Sequence, residues 1–131
     1  MTISLAEAEQ VVRSGARAAD DRGLKVSLAV VDLHGDLVSL ARLDGARHFT
    51  ANAAHGKALV SALLAAPSGD YSEVAQLQVF QSLNRAHQDR MVFWQGAVPL
   101  RRSGAHVGAI GVAGAASDED EEIARAAAAA L

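Results

Sequence analysis

No cysteine occurs in the chain, which excludes disulfides, thiolate metal sites, iron–sulfur clusters and cysteine nucleophiles together. Aromatic residues are scarce, with three Phe, one Tyr and one Trp, and there are only two prolines. A Lys/Arg run is also missing. Twelve basic side chains against 15 acidic ones give a net charge of −3 and a pI near 5.9. That balance argues against nucleic acid and against anionic membranes as partners. No apolar stretch approaches the ~20 residues of a membrane span. The first ten residues, MTISLAEAEQ, lack a basic region followed by an apolar core, so no secretion signal is expected and a cytoplasmic location is.

What the chain does have is alanine, 29 of its 131 residues. Alanine buries little area, so a core built on it gains less than one built on Leu, Ile and Phe. Close backbone packing or self-association would compensate; a GC-rich genome would produce the same bias without physical purpose. At 13.6 kDa there is room for one core, and residues 1–131 are expected to form a single domain.

Ser4 and Glu7 have the spacing of a capping box, and Leu5, Ala8, Val12, Ala16 and Ala19 follow at three- and four-residue intervals. They predict a helix over about 4–21, stopped by Gly23. Lys25–Asp32 is a β-rich apolar run suited to a strand buried on both faces, and Leu33–Asp36 a tight turn into a second strand, Leu37–Leu43. A helix is predicted over about His48–Ala65, and another from Asp70 or Ser72 to about Ala86. Met91–Trp94 reads as a short strand, Ala97–Arg102 and Ala105–Gly114 as two more. Ser117 is placed to cap a last helix whose start carries the acids Asp118–Glu122. The order α-β-β-α-α-β-β-β-α implies an antiparallel sheet with helices packed on it.

Three segments go beyond composition. Val30-Val31-Asp32-Leu33-His34-Gly35-Asp36-Leu37 leads to Arg42-Leu43-Asp44-Gly45-Ala46; Lys57-Ala58 lies in the second predicted helix; Gln95-Gly96-Ala97-Val98-Pro99-Leu100 leads to Gly108-Ala109-Ile110-Gly111-Val112-Ala113-Gly114 before the acidic helix. In this order, across essentially the whole chain, they resemble the GlcG/HbpS-type family of haem-binding or PduO C-terminal-like domains. The resemblance implies a profilin-like α/β (α+β) fold, an antiparallel sheet of about five strands with helices on both sides, and a homo-oligomer. It also implies a small-molecule ligand, with haem as the cofactor. The chain departs from the family pattern in reading QGAVPL for GGVPL, in carrying Asn52 and His55 where an acid and an apolar residue are usual, and in the segment Ala65–Gly69.

Turn chemistry alone accounts for Asp32 and Gly35. Gly108, Gly111 and Gly114 alternate with apolar residues inside a strand, which points to close helix-on-sheet approach rather than a phosphate cradle. His48, Asn52 and His55 are spaced four and three, so a helix presents them on one face. That strip reads either as a solvated surface or as a pocket wall. In the second case His48 and His55 are candidate acid/base groups, and His55 is the candidate ligand for haem iron. Zinc would need a further ligand such as His87 or His106, which the spacing does not specify. Nine residues at ~100° each put Lys57 about 180° from His48 on the helix. Arg42, Asn52 and Lys57 are the candidate cofactor-binding residues; Arg42 is suited to a carboxylate or haem propionate, or to pairing with Asp44.

Two functions fit these residues. One is a binding protein that holds haem or a related planar ligand between the second helix and the sheet. The other is a cofactor-independent enzyme acting on a small organic acid or polyketide-like metabolite through histidine acid/base chemistry.

Overall fold

The computed structural model describes residues 1–131. Its elements are α1 (Leu5–Asp21), β1 (Ser27–Val31), β2 (Leu37–Arg42), α2 (Phe49–Leu64), a 3₁₀ turn (Ser68–Tyr71), α3 (Gln78–Ala86), β3 (Ala97–Arg102), β4 (Ala105–Ala113) and α4 (Ser117–Ala128). The strands form one antiparallel sheet in the order β2-β1-β4-β3. No helix is long and apolar enough to cross a membrane.

The alternation of β1 and β4 sorts side chains to two unlike faces. Leu28, Val30, Ile110 and Val112 join Val98 and Leu100 against α1 and α4, and with Val11, Ile123 and Ala124 make the main core. Ala29, Val31, Ala109 and Ala113 point the other way, onto Ala54, Ala58 and Ala62 of α2. This second layer contains almost no bulk. A Cβ on Gly111 would lie 2.1 Å from the Ala54 carbonyl oxygen and 2.8 Å from the Ala58 nitrogen, so α2 rests backbone-close on the sheet.

Local signals act as expected at several ends. Glu7 N–H donates to Ser4 Oγ and Ser4 N–H to Glu7 Oε1, completing the capping box. Asp32 Oδ1 accepts from His34 and Asp36 N–H, and Gly35 turns the chain at φ +82°.

Three expectations are corrected. Met91–Trp94 is not a strand, so the sheet has four strands rather than about five. The segment is apolar because it packs on α2: Met91 is buried with Leu59 and Val60, Phe93 leans on that cluster, and Val92 N–H donates to Gly56 O. The helix expected from Asp70 or Ser72 to Ala86 is broken. Its first part is 3₁₀ and turn, and α3 begins only after Leu77, held by edge-on stacking of Tyr71 on Phe80 and Phe80 on Phe93. The cap of α4 is Ala116, one residue before Ser117; its N–H donates to Glu119 Oε1 at 3.2 Å.

Candidate functional site

The filled α2–sheet interface leaves no slot for a planar ligand between the two, where one was expected. Space lies instead along the outer edges of α2. Residues 90–92 cross this helix at Gly56, where an added Cβ would meet the Arg90 carbonyl and the Val92 side chain. On one side of the crossing is a groove of about 490 Å³ lined by Asn52, Ala53, His55, Gly56, Asp89, Arg90 and Val92. On the other is a concavity of about 510 Å³ that shares Ala53 and Val92 and is backed by Lys57 and Asp120.

The five sequence-selected residues therefore divide among three places. Asn52 and His55 lie together in the groove. His55 is half-buried, and its Nε2 faces the Gly35 carbonyl at 3.4 Å. A proton on Nε2 directed at that carbonyl leaves Nδ1 as the ring's lone pair, the arrangement by which metal-ligating histidines are oriented. His48 and Arg42 are both exposed and outside the groove. The Arg42 guanidinium donates to His48 Nδ1 rather than pairing with Asp44. This places the imidazole proton on Nε2 and leaves His48 without a free lone pair.

Lys57 is on the opposite flank, as its helical angle requires, and is only 5% exposed. Its ammonium donates to Val112 O at 3.0 Å and to Asp120 Oδ2 at 3.2 Å. Asp120 is 2% exposed and also accepts from Ala115 N–H at 3.0 Å. Burial pushes its carboxyl above the usual carboxylate range, with the Lys57 charge acting against that rise. Gly96, at φ +144°, passes this pair so closely that a Cβ would sit 2.7 Å from Lys57 Nζ.

Asp120, Arg47, Asp89 and Arg90 were not singled out from sequence. Asp120 had a signal: it shares a helical face with Ile123, Ala124 and Ala127, all buried at spacings of three, four and seven. The other three sit on irregular backbone, and local pattern says nothing of them. His87 and His106 are tied elsewhere, to Leu83 O and Ala62 O. No group of three or more His, Asp or Glu side chains is placed to hold a metal ion.

Residues 3–129 match the family described as "Haem degrading protein HbpS-like". The chain belongs to the HbpS-like family. A solved double mutant of HbpS from Streptomyces reticuli is 34% identical, covering 100% of this chain and 88% of the other, with a TM-score of 0.86. PduOC, solved as a complex with haem, is 25% identical over 100% of this chain and 96% of its own, also at 0.86. A 15.0 kDa protein from the dhaT-dhaS intergenic region of Citrobacter freundii is 26% identical over 127 residues, 96% of this chain and 89% of that protein. Membership of the HbpS-like family accounts for the mixed α+β fold and for the ordered motifs.

Proposed function

We propose that this member binds haem, or a closely related planar tetrapyrrole, in the groove on the His55 side of the Arg90–Val92 crossing, and does so as a homo-oligomer. The observation that carries the reading is His55 itself. It is a half-buried imidazole, oriented by a backbone carbonyl, with one free lone pair beside a groove of about 490 Å³. Arg90, Ala53, Val92 and Asn52 fit the group. Arg90 spends Nε on His87 O, which leaves its terminal N–H groups for a propionate. Ala53 and Val92 give an apolar wall, and Asn52 a neutral donor at the rim. The iron goes to His55 rather than His48, whose Nδ1 is taken by Arg42. Haem bound here supplies a redox-active iron, while the chain supplies the imidazole, the guanidinium and one wall.

One wall covers one face of a planar ligand. A second copy seated over the groove would cover the other face, and exposed apolar side chains such as Leu77 and Val79, at 50% and 66% exposure, are available for it to rest on.

Haem titration followed in the visible tests this. A saturating Soret band that shifts on reduction is expected, because a strong-field nitrogen ligand sets the electronic state of the iron. His55→Ala should abolish the shift and His48→Ala should keep it. A broad spectrum that never saturates, or an unchanged band in His55→Ala, overturns the proposal.

A further inference from the structure

Lys57, Gly96 and Asp120 come from three motifs far apart in the chain and meet at the back of the 510 Å³ concavity, away from the His55 groove. A buried ion pair is weak evidence for stability, since apolar residues of like volume often serve as well. Here the pair also borders open space. The Lys57 ammonium has three N–H bonds and commits two of them, to Val112 O and Asp120 Oδ2, so one remains. Arg47 stands at the rim of the same concavity, exposed and without an ion-pair partner. Of the other acids near the start of α4, Glu119 is engaged with Arg22 and the Ala116 N–H, Glu121 with Arg125 and Glu122 with Arg22, while Asp118 is exposed and does not line the concavity. Arg47 and Lys57 against Asp120 leave one surplus positive charge at the cavity. Apart from Thr50, Ser117 and Gly114, the rest of the lining is apolar: Phe49, Ala53, Val92, Trp94, Ala113 and Ala115.

We propose that this concavity is a second binding site, for a small monocarboxylate with an apolar or aromatic body. The carboxylate lies between Lys57 Nζ and the Arg47 guanidinium, and the body lies against Phe49, Val92 and Trp94. A single negative charge matches the surplus. A dianion such as phosphate is disfavoured because the Asp120 carboxylate sits 3.2 Å from the same ammonium. The site shares Ala53 and Val92 with the wall of the haem groove, but the residues that hold its carboxylate differ from those assigned to the iron and the propionate.

Trp94 is the only tryptophan in the chain and lines the cavity, so its fluorescence reports occupancy directly. The probe is phenylacetate, with phenylacetamide as the neutral isostere and inorganic phosphate as the competing anion. Phenylacetate should give a saturable change, and phenylacetamide should bind at least about tenfold more weakly, the cost of losing one charge-assisted contact. Phosphate should not displace it. Arg47→Gln should weaken phenylacetate by about tenfold or more at an unchanged melting temperature. The double variant Lys57→Met/Asp120→Leu, which removes both charges together, should lose binding while remaining folded. His55→Ala should bind phenylacetate as the wild type does, so failure of the haem reading would leave this one standing. Equal binding of acid and amide, wild-type affinity in Arg47→Gln, displacement by phosphate, or no saturable change would each overturn it.

Discussion

Removing one half of the Lys57–Asp120 pair should be the most damaging single polar change in this protein. The side chains are 6% and 2% exposed, and Asp120 joins the link between β4 and α4 to α2 through its two oxygens, one on the Ala115 N–H and one on Lys57. In Asp120→Ala the ammonium keeps only the Val112 carbonyl, and the Ala115 N–H loses its acceptor. Breaking one side of a buried pair costs about 3–5 kcal/mol, chiefly through the charge left behind. For a domain of this length each kcal/mol moves the melting temperature by roughly 4 °C, so a fall of about 12–20 °C is expected. The double variant Lys57→Met/Asp120→Leu strands no charge and should recover to within about 2 kcal/mol of the wild type. Circular-dichroism melts of the three proteins decide the matter. If Asp120→Ala melts within a few degrees of the wild type, or the double variant melts below the single one, the stranded charge is not what matters there.

Gly111→Ala should destabilise by about 1–3 kcal/mol or more, read from urea midpoints, because its Cβ would strike the backbone of α2 rather than a movable side chain. Glu7 is held at about 2, below its usual 4.5, first by the Arg102 guanidinium and then by the Ser4 backbone N–H. A lowered carboxyl contributes stability above its unfolded value that fades as pH falls through the folded one. Glu7→Gln should therefore melt below the wild type near neutrality, and the gap should close between pH 4.5 and about 2. Light scattering should give a multiple of the 13.6 kDa chain mass, and Val79→Glu, which puts a charge on an exposed apolar residue of α3, should shift it toward that mass.

Where the sequence was legible, a local physical signal and the tertiary environment agreed. The Ser4/Glu7 box, the apolar run of β1 and the Asp32–Gly35 turn each carry their instruction within a few residues, and each is found in place. Met91–Trp94 misleads because apolar alternation reports burial, not hydrogen-bond pairing, and here burial is supplied by α2. The break before α3 has a similar origin: Tyr71 stacks edge-on against Phe80 rather than continuing a helical face, and Leu77 is left half exposed. At the site, the helical angle alone separated Lys57 from His48. It could not say that Lys57 would meet Asp120, since that contact spans 63 positions and depends on how α4 follows β4.

The alanine content bears on function through this same geometry. Ala29, Ala54, Ala58, Ala62, Ala109 and Ala113 face one another across the α2–sheet interface, and with Gly111 they let the helix backbone settle onto the strands. Packing explains these alanines; Ala126 on α4 and Ala129 just after it are exposed, and nothing in the structure explains them. An interface this thin has no volume for a ligand, nor for long side chains pointing inward. The longer polar side chains on α2 must therefore leave at its flanks, His55 and Asn52 to one side and Lys57 to the other. The Arg90–Val92 crossing then divides that surface into two recesses of similar size and unlike charge. A helix with Leu in place of these alanines would be lifted from the sheet. The crossing at Gly56 would shift with it, and both recesses would change together.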